Sequence, residues 1–115
     1  MNENKAMVNQ MIQDWQGESD YIDSVLAQTY EMESIVRKDY LSVKETLDQA
    51  KSIDWFFLDD DSKELYFKTL AELNTMIAKL EDRIETVLSA RSILLQLHDN
   101  VDNWKELTAA LQNLV

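Results

Sequence analysis

The chain has 115 residues, of which 45% are apolar, with one glycine, no proline and no cysteine. This length fits one domain rather than two, and this apolar content excludes an intrinsically disordered chain. Turns in sheets and barrels draw on glycine and proline, so their near absence predicts an all-α protein. The lack of cysteine excludes disulfides, iron–sulfur clusters and thiolate zinc sites.

The net charge is −11, from 22 acidic and 11 basic residues. Contacts with nucleic-acid phosphates or anionic lipids need Lys and Arg, so this charge argues against direct binding to either. The first residues do not have the basic and apolar segments of a secretory signal, and no run of about 18 apolar residues occurs. We therefore expect a soluble, cytoplasmic protein that binds other proteins.

The first predicted helix covers residues 3–16. Its apolar stripe at helical spacing consists of Met7, Val8, Met11, Ile12 and Trp15. Gly17 follows directly, where a helix C-cap lies, and Ser19 or Asp20 can cap the next helix. The pattern therefore predicts a short helix that ends at Gly17.

The second predicted helix is long and covers residues 20–53. Its seam, the line of residues that faces a partner helix, consists of Ile22, Val25, Thr29, Met32, Val36, Tyr40, Val43, Leu47 and Ala50. The alternation of three- and four-residue steps is interrupted between Val36 and Tyr40, so we expect the seam to shift there by one position. Such drift favours a helix bundle over a long, strict coiled coil.

The segment SIDWFFLDDDSKEL, residues 52–65, places four large apolar residues directly before three aspartates. We predict an acidic and aromatic turn at residues 54–61. Asp61 and Glu64 have the spacing of a capping box, which predicts that Asp61 is the N-cap of the next helix.

The third predicted helix is also long and covers residues 62–98. Its seam alternates steps of four and three residues without interruption: Tyr66, Leu70, Leu73, Ile77, Leu80, Ile84, Val87, Arg91, Leu94 and His98. A fourth, short helix is predicted at residues 101–114. Its apolar stripe consists of Val101, Trp104, Leu107, Leu111 and Leu114.

The predicted fold is an antiparallel long helical hairpin flanked by two short helices, in a four-helix-bundle-like domain that oligomerises. The short turn makes the two long helices antiparallel neighbours. Both short helices attach at the opposite end and cover about half of the hairpin's length. The half that carries the aromatic turn is then an uncovered two-helix pair, which is marginally stable alone.

The residues predict no catalytic group, no cofactor and no metal. The only histidine, His98, lacks the Glu-x-x-His spacing of bundle metal sites, and the single glycine excludes a phosphate-binding loop. Arg91 lies at a seam position between Val87 and Leu94, level with about Val25 and near Thr29. It either forms a polar layer that fixes register or extends outward with its stem on the core.

The leading functional hypothesis is a non-enzymatic protein-binding module, namely an adaptor, a chaperone or a small subunit. Its partner is another protein with a basic or helical binding segment, or a second copy of the chain in a homodimer. Such contacts are dominated by aromatic anchors. The candidate partner-binding residues are Trp55, Phe56, Phe57, Tyr66, Leu70 and Leu73.

Two alternatives remain open. The first is an acidic inhibitor that mimics nucleic acid and blocks a DNA- or RNA-binding protein. Its candidate carboxylates are Glu18, Asp20, Asp23, Glu31, Glu33, Asp59 and Asp60. The second is a self-assembling structural homo-oligomer, in which the uncovered halves of two hairpins pair with each other.

Overall fold

The computed structural model of the chain describes residues 2–115, with the backbone alone for Asn2. Helix α1 spans Asn2–Lys51, a short 3₁₀ turn spans Trp55–Phe57, and helix α2 spans Asp60–Gln112. No strand occurs in the described residues. The prediction of an all-α hairpin of two long helices is therefore confirmed.

Packing between the two helices divides the chain into two compact units. The terminal unit consists of the residues up to Tyr30 together with Ser89–Val115. The turn unit consists of Glu31–Leu88. In each unit a segment of α1 packs against a segment of α2. The prediction that the whole chain folds as one domain stays a prediction.

The inward side of α1 is an unbroken heptad seam with alternating steps of four and three residues. The seam consists of Val8, Ile12, Trp15, Ser19, Ile22, Leu26, Thr29, Glu33, Val36, Tyr40, Val43, Leu47 and Ala50, all buried or half-buried. The predicted shift after Val36 is wrong, because Glu33 occupies the seam and Met32 is 52% exposed. Neighbouring residues on a helix point about 100° apart, so the heptad spacing outweighs the greater apolarity of Met32.

The inward side of α2 confirms the predicted seam from Tyr66 to His98, whose residues are all buried or half-buried. The same spacing extends the seam further in both directions, to Lys63 at one end and through Val101, Lys105 and Thr108 at the other. Because the heptad spacing continues without interruption, α2 does not break near Asn100.

The two short flanking helices predicted at residues 3–16 and 101–114 are the ends of α1 and α2, not separate elements. Gly17 lies inside α1, and no described residue has a positive φ, so the predicted C-cap at Gly17 is wrong. Trp15 and Ser19 lie on the seam on either side of it. Packing of these neighbours on α2 outweighs the roughly 1 kcal/mol that a glycine costs within a helix.

Continuation of α2 also corrects the stripe predicted for the fourth helix. Val101 is buried on the seam, but Trp104, Leu107, Leu111 and Leu114 are exposed. In a separate helix these residues could turn inward, whereas in α2 the established heptad points them sideways. No short helix folds over the hairpin in residues 2–115, so the predicted arrangement of a covered and an uncovered half is wrong. No helix in the described chain is both long and apolar enough to cross a membrane.

Candidate functional site

The turn between the helices carries a cluster of exposed aromatic rings. We call Trp55, Phe56, Phe57 and Phe67 the aromatic tip. The three residues of the 3₁₀ turn are 42%, 70% and 82% exposed, respectively. Trp55 lies edge-on to Phe56 and to Phe67, with ring centroids 6.2 Å and 5.3 Å apart, and Phe57 contacts Phe56 at 5.9 Å. Edge-to-face contacts of this kind hold the rings relative to each other.

Hydrogen bonds fix the backbone beneath these rings. The Leu58 N–H donates to the Trp55 carbonyl at 3.1 Å and closes the 3₁₀ turn. The Tyr66 hydroxyl donates to the carbonyl of Ala50 at 2.9 Å, which ties α2 to the last turn of α1. Leu58 is half-buried below the turn. The backbone that carries the aromatic tip is therefore held by hydrogen bonds, and the half-buried Leu58 side chain packs at the end of the helix pair.

Asp59 is the N-cap of α2, where the sequence pattern predicted Asp61. The Asp59 Oδ1 accepts a hydrogen bond from the Ser62 N–H at 2.7 Å, and its carbonyl accepts one from Lys63 N–H at 2.8 Å. The predicted box at Asp61 and Glu64 is wrong because α2 begins two residues earlier than expected. The backbone hydrogen bond from Ser62, with a smaller contribution from its side chain, lowers the pKa of Asp59 below its ordinary value.

The partner-binding residues predicted from the sequence fall into two groups. Trp55, Phe56 and Phe57 share the aromatic tip. Tyr66, Leu70 and Leu73 instead lie on the α2 seam, half-buried against α1, so most of their surface is already used inside the turn unit. The sequence analysis missed Phe67, which extends the tip and is exposed. Phe67 follows a seam residue directly and lies two helical turns into α2, and this position is the signal that places it near the turn.

The predicted polar residues Arg91 and Thr29 contact each other in the terminal unit. Arg91 Nε donates to Thr29 Oγ1 at 3.1 Å, and an Nη donates to the Thr29 carbonyl at 3.2 Å. The guanidinium also lies over the Tyr30 ring, 3.8 Å from its centroid. Arg91 thus forms a polar layer across the helix pair. Its role in register or partner choice stays a prediction.

A second polar contact lies nearer the chain ends. Trp15 Nε1 donates to Thr108 Oγ1 at 3.1 Å, and that hydroxyl donates to the Trp104 carbonyl at 2.7 Å. The rings of Trp15 and Trp104 are 4.9 Å apart. Thr108 is buried, so this contact satisfies polar groups that the apolar side chains around them would leave unpaired.

One side of the terminal unit is acidic. It is formed by positions one residue after each seam position, and we call it the acidic face. Its carboxylates are Asp20, Asp23, Asp99, Asp102 and Glu106. His98 Nε2 contacts Asp23 Oδ1 at 3.1 Å, and His98 Nδ1 contacts Asp102 Oδ2 at 3.3 Å. These contacts show that the corresponding positions of α1 and α2 lie on the same side of the pair.

His98 and two neighbouring carboxylates have the separation of metal ligands. The candidate ligand atoms of His98, Asp99 and Asp102 lie within 4.8 Å of one another. Exposed carboxylates near a histidine commonly occur without an ion, and both imidazole nitrogens already contact carboxylates. We therefore assign no metal to this cluster.

The opposite side of the terminal unit is apolar. It is formed by positions one residue before each seam position, and we call it the apolar face. Its exposed large apolar side chains are Met7, Tyr21, Ile93, Leu97, Trp104, Leu107 and Leu111, and Leu114 follows just after the end of α2. The equivalent positions of the turn unit meet around Val43 and Leu80, where Asp39, Met76 and Arg83 line an open groove. Positions before the seam thus share a side, as positions after it do.

The carboxylates predicted for nucleic-acid mimicry do not form one patch within either unit. In the terminal unit Asp20 and Asp23 lie on the acidic face, whereas Glu18 lies on the apolar face. In the turn unit Glu33 is half-buried and pairs with Arg37 at 2.7 Å, Asp59 caps α2, and Asp60 begins that helix. Glu31 is exposed on the outer side of α1. Several of these carboxylates therefore already form ion pairs or helix caps within the chain.

No protein-family model, curated protein or solved structure matches this chain.

Proposed function

We propose that the protein is a non-enzymatic binding module that contacts another protein through its aromatic tip. The observation that carries the proposal is the exposure of three consecutive aromatic residues, Trp55–Phe57, on a turn with a fixed backbone. Aromatic side chains contribute most of the binding energy in many interfaces. A support that is already ordered lowers the entropy lost on binding.

The charges around the tip indicate the chemistry of the partner. Asp54, Asp60 and Asp61 are exposed beside the rings, and Lys63 lies over Trp55 and Phe56 at 6.0 and 5.8 Å from the ring centroids. The rim is therefore mainly acidic. An apolar pocket or helical groove flanked by Lys or Arg fits such a surface, because opposite charges at the rim speed encounter and exclude acidic competitors. An adaptor, a chaperone or a small subunit would use the tip in this way.

The surroundings of the only histidine favour binding over catalysis. A general base needs a free nitrogen that faces its substrate. Both ring nitrogens of His98 contact carboxylates, from Asp23 and Asp102, on the acidic face. Nucleic-acid mimicry has less support than tip binding, because a mimic needs free carboxylates and those of Glu33 and Asp59 have partners within the chain.

The partner is best captured with a photo-crosslinking residue in the tip. Phe57→p-benzoylphenylalanine replaces one exposed aromatic ring by another, and Ser92→p-benzoylphenylalanine places the same group on the exposed surface of the terminal unit. We expect a protein from the host that crosslinks at position 57 and not at position 92. Crosslinks of equal yield at both positions would contradict a tip-specific contact.

The captured protein, once purified, is then titrated against variants of the full chain. Phe57→Ser should weaken binding by at least about tenfold, as for an aromatic anchor. Leu41→Ser is the control, because Leu41 is an apolar residue of the turn unit that is 63% exposed and lies outside the tip. Equal affinities of the two variants, with unchanged helicity, would overturn the proposal.

A further inference from the structure

In the terminal unit α2 has a polar stripe that faces α1 and an apolar stripe to one side of it, which we call the outward stripe. The inward stripe consists of Arg91, Leu94, His98, Val101, Lys105 and Thr108, of which four are polar. The outward stripe consists of Ile93, Leu97, Asn100, Trp104, Leu107 and Leu111, of which five are apolar, and Leu114 follows in the turn after α2. The larger apolar surface of this part of α2 is therefore not the one that packs on α1.

The outward stripe has the spacing of a helix-packing seam. Its steps alternate four and three residues, as do those of the inward seam, so a second helix can follow it along its whole length. Helices that pack on two adjacent sides in this way are typical of four-helix bundles. Met7 and Tyr21 on α1 add to the same face. The terminal unit thus has an apolar surface like the one that two helices of a four-helix bundle turn toward the other two.

The exposed area matches one side of a stable dimer. The exposed fractions of the apolar side chains on this face range from 42% at Leu97 to 81% at Leu114. Together the face leaves on the order of 800 Å² uncovered, which is the area that one partner buries in a standard interface. Monomeric proteins rarely leave an apolar patch of this size to solvent.

The distribution of charge indicates which protein binds the apolar face. The outward stripe of α2 has no charged residue, so it offers nothing that selects a basic or an acidic partner. The two carboxylates on the apolar face, Asp14 and Glu18, belong to α1 and lie outside this stripe, whereas five others lie on the opposite, acidic face. In a contact between two outward stripes of α2 those five stay in solvent, away from each other. A second copy therefore fits this face despite the net charge of −11.

We propose that the apolar face is a homodimer interface, in which the outward stripe of α2 packs against the same stripe of a second copy. In a parallel, isologous pairing of the two stripes each residue faces its own copy, so Asn100, the one polar residue of the stripe, lies opposite Asn100 of the second copy. A paired asparagine in an apolar seam fixes register and oligomeric state at a cost in stability. This interface is separate from the aromatic tip, which lies in the turn unit.

The test introduces a carboxylate on the symmetry axis with almost no change in shape. Asn100→Asp places two like charges face to face in the dimer. Asn103→Asp makes the same chemical change three residues away, at an exposed position outside the stripe. Sedimentation velocity of the full-length chain and both variants, from about 1 to 200 µM, spans the range in which a standard-size interface assembles. Circular dichroism of the same samples checks that helicity is unchanged.

We expect the unmodified chain and Asn103→Asp to be dimeric with similar Kd values. Asn100→Asp should raise the Kd by at least about tenfold, because facing like charges are strongly unfavourable. Its Kd should fall again below about pH 4, where the carboxylates are protonated. A monomer at 200 µM for the unmodified chain would overturn the proposal, as would equal Kd values for the two variants.

Discussion

The terminal unit and the turn unit have the same heptad spacing along the seam, but they differ in where their exposed apolar residues lie. In the turn unit α2 faces α1 with an almost entirely apolar line of residues, Tyr66 to Val87, and the exposed rings cluster at the turn. In the terminal unit the buried residues include Ser19, Thr29 and Thr108, and the large apolar side chains lie along one outer face. The same hairpin thus offers a compact contact point in one unit and an extended face in the other.

The seam residues and the apolar residues outside the seam therefore have separate roles. The seam determines that the chain forms a hairpin, because burial of apolar area drives the packing of the helices. We propose that the apolar residues outside the seam determine what the protein contacts. On this proposal, the terminal unit, with its polar seam and apolar outer face, completes its burial with another chain.

The largest expected effect comes from removing a seam side chain in each unit. Ile22→Ala in the terminal unit and Leu47→Ala in the turn unit both delete side chains that are at most 4% exposed. Each should lower the free energy of unfolding by about 2–4 kcal/mol. Urea denaturation at one fixed protein concentration measures this, since any dimer makes the apparent stability depend on concentration.

Hydrogen exchange of the backbone amides then shows whether each substitution destabilises only its own unit. Amides near the substituted residue should exchange faster than those of the other unit, if the units open separately. Uniform acceleration across residues 2–115 for both variants would show one cooperative structure and remove the distinction between the units.

The polar contacts of the two units should differ in strength. Arg91→Ala removes charged hydrogen bonds to Thr29 and should cost about 1.5–3 kcal/mol, whereas Tyr66→Phe removes one neutral hydrogen bond to Ala50 and should cost about 0.5–1.5 kcal/mol. A double-mutant cycle of Arg91→Ala with Thr29→Ala isolates the pair. Coupling near zero would mean that Arg91 stabilises the terminal unit only through its other contacts.

Gly17→Ala should stabilise the terminal unit by about 0.5–1 kcal/mol, because alanine loses less backbone freedom in a helix. A Cβ at this position meets nothing within 4 Å, and the backbone is helical there. Thermal unfolding at fixed concentration measures the change. If Gly17 instead ended a helix in the left-handed conformation, alanine would lower the melting temperature, so the sign of the shift tests whether α1 is continuous.

The smallest expected effect is the pH dependence that Asp59 gives to the turn unit. Its pKa is lower folded than unfolded, so its carboxylate stabilises the fold above the unfolded pKa, and this contribution is lost as pH falls through the folded pKa. Asp59→Asn keeps a good N-cap and should remove this component. Melting temperatures between about pH 2 and 6 measure it. Identical profiles for the two proteins would show that the cap contributes nothing through its charge.

Composition and periodicity together were sufficient to predict the fold class and the long hairpin. The α2 seam is regular enough to read directly, since Tyr66 to His98 never leaves the heptad spacing. The helix breaks were predicted wrongly because Gly17 and Asn100 are local signals, and packing on the opposite helix outweighs them. The same local reasoning placed Met32 on the seam, whereas the global heptad places Glu33 there.

The candidate surfaces were only partly predictable. Trp55–Phe57 stood out because four apolar residues before three aspartates cannot all face inward at the end of a helix pair. Phe67 was missed because its neighbour Tyr66 already fitted the heptad seam, so no second aromatic residue was considered at that point of α2. The apolar face was missed for a physical reason: once α2 is taken to break near Asn100, Trp104 and Leu107 become core residues of a separate helix. Only continuity of α2 turns them outward.

Sedimentation of two further variants tests the central claim, that the two apolar surfaces have separate roles. Leu107→Glu places a charge in the apolar face, and the double variant Trp55→Ser with Phe57→Ser removes the centre of the tip. We expect a monomer for Leu107→Glu and an unchanged dimer for the tip variant, both with full helicity. A monomeric tip variant together with a dimeric Leu107→Glu would contradict it, because the second copy would then occupy the tip.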